Sequence, residues 1–301
     1  MHWGLSIPHF KQVASPKAIR DVARHAEELG FDSLWVTDHV AMPEKYVPRF
    51  GEVIYEPLTA LAYAAAVTSR IKLGSSVIIL PYRNPVVTAK VLATIDVLSE
   101  GRLIVGGAAG WCEEEFAALG VSHKERGDLS DEYLALFKTL WTEHRPSFNG
   151  RYIKFPPLVF EPKPVQKPHP PLWVGGNSRR GLRRAARFGN VWHPTRPTVQ
   201  MIKEGVEYLK KIAPKYGRDG AAIGIAARHP LRFMDAPSQS GMPLLGPKDY
   251  IVENLKAMTA AGVSALMVDL FYSVPELDGE TVTSMMKTMD RIATEVRPQV
   301  Q

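Results

Sequence analysis

Short runs of apolar, strand-favouring residues alternate along the chain with longer segments in which apolar positions recur every three to four residues. The strand-like runs fall at residues 3–8, 33–40, 71–80, 103–108, 172–174, 191–193, 223–233 and 265–271. Helical spacing fills 16–29, 57–68, 85–98, 113–119 with 129–141, a stretch beginning near 178, then 199–212, 248–261 and 281–296. Gly127 is the expected interruption between the two halves of the fourth helical region. Eight strands each followed by a helix predict one (β/α)8 barrel over residues 1–301, and a doubly wound parallel sheet is the weaker alternative. The rhythm breaks at residues 147–171, where an Asn149-Gly150 turn, alternating Tyr152 and Phe155, and many prolines predict an excursion with a hairpin between the fourth helical region and the fifth strand.

One stretch organises the rest. PLWVGGNSRRGLRRAARFG, residues 171–189, reads as a strand that turns through Gly175 and Gly176 directly into a basic helix. A helix N-terminus above such a turn offers free N–H groups and a positive dipole end to a phosphate, the preferred reading; Asn177 or Ser178 acting as a plain cap, with no ligand, is the alternative. Arg179, Arg180, Arg183, Arg184 and Arg187 then fall on one helical face, either a solvated outer surface or a stripe for a ligand with more negative charge than one phosphate.

In a barrel the carboxyl ends of the strands share one rim, and chemistry gathers there. Those ends carry Asp38 and His39, the region Ser75, Ser76 and Val77, then Ala109, Gly110 and Trp111, and the Gly175-Gly176-Asn177 turn. His39 beside Asp38 is the best local proton-transfer pair, and Trp111 is a flat wall for a ring. Glu113, Glu114 and Glu115 open a helix, where carboxylates favourably meet the dipole.

Composition narrows the function classes only where it departs from the ordinary. A formal charge of +6 without an aromatic-interleaved basic block points to anionic small molecules rather than nucleic acid. The lone Cys112 excludes an intramolecular disulfide framework and a Cys-cluster metal site, and no HxH or HExxH spacing suggests a metal. With no long uncharged apolar run and no signal-peptide pattern, a cytoplasmic protein without membrane association is expected.

Four stretches taken together resemble the bacterial luciferase-like superfamily of flavin and deazaflavin enzymes: LWVTDHV (34–40), EPLTALAYAAAVTSRIKLGSSV (56–77), GGAAGWCEEEFAALGV (106–121) and PLWVGGNSRRGLRRAARFGNVW (171–192). The third is most similar to the branch that uses the deazaflavin coenzyme F420. Membership implies a barrel with an insertion, usually a homodimer, with the cofactor ring over the carboxyl rim near strands two to four. Position by position, the resemblance makes His39 the active-site proton group with Asp38 near the ring. It places Ser76-Val77, beside Ser75, at a third-strand bulge that often holds a non-prolyl cis peptide, and makes Gly175, Gly176 and Asn177 the phosphate turn; Arg183, from the basic helix face rather than from the resemblance, is the cofactor contact expected beyond it. Trp111 stands where the superfamily's sugar-phosphate dehydrogenases have a catalytic Glu. That departure argues against a sugar-phosphate substrate and leaves Glu114 as a candidate proton donor. The expectation is an F420-dependent oxidoreductase acting on a small organic substrate, with an FMN-dependent monooxygenase or a non-catalytic flavin-binding barrel as alternatives.

Overall fold

In a computed structural model that describes residues 1–272 and 274–300, eight strands run parallel in chain order and the last pairs back to the first. They are β1 (His2–Ser6), β2 (Ser33–Val36), β3 (Lys72–Ser75), β4 (Leu103–Ala108), β5 (Leu172–Gly175), β6 (Val191–His193), β7 (Gly224–Pro230) and β8 (Ala265–Asp269). The principal helices around them are α1 (Pro16–Glu28), α2 (Pro57–Val67), α3 (Pro85–Leu98), α4 (Arg126–Thr142), α5 (Arg179–Phe188), α6 (Val199–Ile212), α7 (Lys248–Ala260) and α8 (Val282–Arg291). Closure is complete because β3 meets β4 at Leu73↔Leu103 and β8 meets β1 at Leu266↔Trp3. The barrel expectation holds, and the doubly wound alternative falls. Among the described residues no helix is long and apolar enough to cross a membrane.

Local chemistry sets the helix starts. Ser15, Asn84, Ser178, Thr198 and Thr281 each accept a backbone N–H from the first turn of α1, α3, α5, α6 and α8, and prolines open α1, α2 and α3. Gly127 does not interrupt the fourth helical region. It is the second residue of α4, and the break lies earlier, at residues 119–125, where Gly120 turns the chain with φ +69°.

The period-2 alternation divides each strand between two cores. Leu5, Leu34, Leu73, Val105, Val174, Ala227 and Val268 face the helices, while Trp35, Ile104, Trp173, Ala226, Ala265 and Met267 fill the barrel. Glycine is required opposite the large ring: a Cβ on Gly74 would lie 2.3 Å from the Trp35 indole. The excursion contains the expected hairpin, with Phe148 opposite Phe155. Glu132 of α4 holds its turn by accepting the N–H groups of Arg151, Tyr152 and Ile153 at 2.7–2.9 Å.

His229 on β7 points to the helix side, opposite Arg228, and does not line the cleft described below. Burial pushes its imidazole down to about 4, so it is neutral when folded and must gain a proton on unfolding below its ordinary 6.5. Its contribution is therefore full above pH 6.5 and is lost as pH falls towards 4, by about 2 kcal/mol between pH 7 and 5. Thermal melts of His229→Leu should depend less on pH over that interval than those of the parent. Equal pH dependence in the two proteins would show that His229 carries none of the acid sensitivity.

Candidate active site

At the carboxyl end of the barrel the inward-facing residues change from apolar to polar. Asp269 is 1% exposed and accepts hydrogen bonds from Arg228 Nε at 3.0 Å, Arg228 Nη2 at 3.0 Å and Ser6 Oγ at 2.5 Å. The same guanidinium donates to the Ser76 carbonyl at 2.5 Å and to Thr37 Oγ1 at 3.0 Å, and lies 4.9 Å from the centre of the Tyr272 ring. His193 is completely enclosed, and burial pushes it down to about 4, so it is neutral near pH 7. Its Nδ1–H donates to the Ala226 carbonyl at 2.6 Å, which leaves Nε2 to accept the Ser76 hydroxyl at 2.7 Å. These groups make a fixed polar floor.

Ser76–Val77 is a cis peptide, and beyond it Ile78–Ile79 resumes pairing with β4 at Gly107 and Ala108. Asp38 serves this bulge. Its carboxylate accepts the Ile79 N–H at 2.8 Å and both arms of Arg83 at 2.6 and 2.9 Å, so the end of β2 is tied to the far side of the bulge. Ser75 faces the neighbouring strand, bonding both the N–H and the carbonyl of Gly106 at 3.0 and 2.8 Å, and does not line the cleft.

His39 lies just past the end of β2, with its Nδ1–H donating to Glu115 Oε2 at 2.8 Å. Glu115 is 1% exposed and also accepts the N–H groups of Val40 and Ala41 and the Tyr82 hydroxyl, at 2.7, 3.2 and 3.1 Å. Burial pushes this carboxyl up, but its donors, led by His39, outweigh that and leave it below the usual carboxylate range. Burial first and then Glu115 push the Tyr82 phenol up, so it remains a donor. Nε2 of His39 has no hydrogen bond within the described chain, and the ring lines the cleft between Phe50, 4.7 Å away, and Trp111, 5.9 Å away. Trp111 is 46% exposed and packs on Tyr46, making an aromatic wall.

Glu114, the carboxylate nominated from sequence, is placed elsewhere. It pairs with Lys45 on the surface, is reached by Cys112 Sγ, and does not line the cleft. Of the three consecutive glutamates, Glu115 is the one turned to His39.

From this wall a cleft of about 1060 Å³ runs past Val77, Ala109 and Gly110 to the turn at Gly175 and Gly176. Gly176 has φ +124°, a conformation closed to side-chain-bearing residues in practice, and Trp192 Nε1 donates to its carbonyl at 2.8 Å. Ser178 caps α5 by accepting the Gly181 N–H at 3.2 Å. Asn177 does not line the cleft. Its amide exchanges two hydrogen bonds with the Thr195 backbone, tying the loop after β5 to the loop after β6.

The arginine face of α5 divides. Arg180, Arg183 and Arg187 line the cleft without acidic partners among the described residues, whereas Arg184, also in the lining, is buried on Asp131 at 2.5 Å. Arg179 turns away onto the Tyr208 ring at 4.3 Å. Lys124, Arg126, Arg49 and Arg196 join from loops and helix starts that the sequence reading did not nominate. The lining thus holds nine cationic side chains against three aspartates, and two of those aspartates, Asp38 and Asp131, are already neutralised by Arg83 and Arg184. Such a cleft has an aromatic, proton-bearing end and a cationic end.

A family model described as luciferase-like monooxygenase matches residues 1–239. An uncharacterized protein of Mycobacterium tuberculosis is 35% identical over 233 residues, covering 73% of this chain and 81% of that one. The FMNH2-dependent dimethylsulfone monooxygenase of Pseudomonas putida is 30% identical over 69% of this chain and 56% of its own. An F420-dependent glucose-6-phosphate dehydrogenase of Kineococcus radiotolerans is 34% identical over 58% of this chain and 51% of its own. Among solved structures, the monooxygenase RslO1 of Streptomyces bottropensis superposes with a TM-score of 0.81 at 20% identity over the whole of both chains. An F420-dependent secondary alcohol dehydrogenase superposes at 0.80 with 16% identity, over 100% of this chain and 99% of the other. At those identities the two structures speak for the fold.

Proposed function

The chain belongs to the luciferase-like monooxygenase family, whose members include F420-dependent and FMN-dependent enzymes, and from that premise we propose that it is a coenzyme F420-dependent oxidoreductase acting on a small organic substrate. The observation that carries the choice of cofactor is the unpaired cationic lining of Arg180, Arg183 and Arg187, extended by Lys124 and Arg126 beyond the phosphate turn. FMN ends in one phosphate, whereas the deazaflavin continues past its phosphodiester into a carboxylate-bearing tail that such a lining fits.

In this reading Gly176, Ser178 and Arg183 hold the phosphate, and Val77, Ile79, Ala109 and Gly110 bound the ring. When bound, the cofactor supplies the hydride chemistry. The chain's own part is to orient the reactants, exclude water with the Phe50–Trp111 wall, and hold a proton at His39 Nε2. We place the protein in the cytoplasm as a homodimer. The second reading, an FMN-dependent monooxygenase, is favoured by the similarity to the dimethylsulfone enzyme.

Titrating both cofactors at low and high salt separates the two. The deazaflavin is expected to bind more tightly and to lose affinity more steeply with salt, because its tail meets partly exposed arginines that ions screen. Arg183→Glu with Arg187→Glu should erase most of the difference. Tighter FMN binding, or equal salt slopes in the parent, would bring the monooxygenase forward and return these arginines to a solvated surface.

A further inference from the structure

Two of the cleft's cations stand apart from the α5 face. Arg49 belongs to the short helix Val47–Phe50 in the loop after β2, with its guanidinium 5.0 Å from the centre of the Phe50 ring, and Phe50 in turn packs on His39. Arg196 sits in the loop after β6. Its backbone takes the left-handed region, φ +50°, and its N–H donates to the Arg228 carbonyl at 2.7 Å. Both line the cleft, and neither has an acidic partner among the described residues.

They face one cleft, from the loops after β2 and β6. Burial first, and then the charges of Arg196 and Arg228, hold the Arg49 guanidinium below its ordinary range, and among the described residues only Arg228 of the three is neutralised, by Asp269. Two guanidiniums without acidic partners among the described residues, one of them on the aromatic wall, disfavour the free protein. A left-handed non-glycine residue adds to that cost, and such conformations concentrate where a ligand is held. A bound anion would relieve the repulsion and satisfy both forks.

We propose that Arg49 and Arg196 form a substrate-binding pair, and that the substrate is an organic anion: an apolar body against Phe50 and Trp111, and a carboxylate or phosphate monoester head between the two guanidiniums. This assignment rests on the reading above in which the redox cofactor occupies the cleft between His39 and the Gly176 turn.

The test uses hexanoate, hexyl phosphate and 1-hexanol as probes of equal chain length, titrated calorimetrically into the whole protein with and without saturating cofactor. At least one of the two anions should bind about tenfold or more tightly than the alcohol, the value of one charge-assisted hydrogen bond, and the tighter of the two identifies the head group. Arg49→Gln and Arg196→Gln should each remove most of that preference, Arg49→Lys should retain part of it, and Arg183→Gln should leave it intact while loosening the cofactor. Circular dichroism verifies that each variant is folded, and unchanged cofactor affinity does so again for the Arg49 and Arg196 variants. Anions binding no more tightly than the alcohol would overturn the assignment, as would a preference residing at Arg183 or competition between probe and cofactor. If neither cofactor binds yet the anion preference persists and depends on Arg49 and Arg196, the cofactor reading fails while the anion pair stands.

Discussion

His39→Ala is expected to slow turnover about a hundredfold or more while leaving cofactor affinity within a few-fold. The asymmetry follows from where the ring's two nitrogens point. Nδ1–H is fixed by Glu115, so a proton can be exchanged with the cleft only through Nε2, and the ring lies between Phe50 and Trp111 in the cleft lining. Cofactor binding depends instead on the glycine turn and the α5 arginines, which His39 does not touch. Glu115 is a positioning residue in this scheme. Glu115→Gln should lower kcat with KM nearly unchanged and abolish the downfield imidazole N–H resonance that a carboxylate-bonded Nδ1–H gives. Because the Glu115 carboxyl lies below its usual range, it contributes fully at neutral pH and is lost only as pH falls through that lowered value. Glu115 therefore keeps its charge throughout pH 6 to 8, the range in which the variant and the parent are compared. Unchanged turnover in His39→Ala at several pH values would remove His39 from the mechanism.

The barrel was legible because its signal is periodic. Six of the eight strands lie within the predicted runs and the other two, β1 and β5, overrun theirs by one residue, at His2 and Gly175; α3 and α6 match residue for residue, since Asn84-Pro85 and Thr198 are local start signals that need no tertiary contact. The site was legible only in part. His39, Trp111, Gly175 and Gly176 fall in the cleft, because strand ends and glycine turns are positions along the chain. What a carboxylate or guanidinium faces depends on partners far away in sequence. Asp38 is spent on Arg83, 45 residues on, and Glu115 rather than Glu114 reaches His39 across 76 residues. Three consecutive glutamates differ by about 100° steps around a helix whose orientation the sequence does not state. The same holds for the arginine face, where Tyr208 and Asp131 take Arg179 and Arg184. Arg49, Arg126 and Arg196 carry no local pattern at all, and only the folded loops bring them together.

The last expectation concerns the polar floor and separates stability from binding. Asp269→Leu should destabilise the protein by about 3–5 kcal/mol, because it leaves the Arg228 charge buried without its counter-ion. Arg228 is 7% exposed, and its remaining partners, Thr37 Oγ1 and the oxygens of Ser76, are uncharged. Arg228→Met alone should also destabilise the protein, because it takes the guanidinium away from the buried Asp269 carboxylate, which keeps the hydrogen bond from the Ser6 hydroxyl. The double variant, with an apolar pair of similar volume in the same place, should recover most of the loss, since removing both charges also removes the penalty of burying them. If the guanidinium's further role is to hold the Ser76 carbonyl and Thr37 against the bulge, the double variant will be stable and yet bind the cofactor more weakly than the parent. Urea denaturation of the four proteins gives the coupling energy, and cofactor titration of the parent and the double variant gives the second readout. Additive losses in the denaturation cycle would mean that the pair does not act as a unit. Full cofactor affinity in a stable double variant would mean that the floor supports the barrel but not the site.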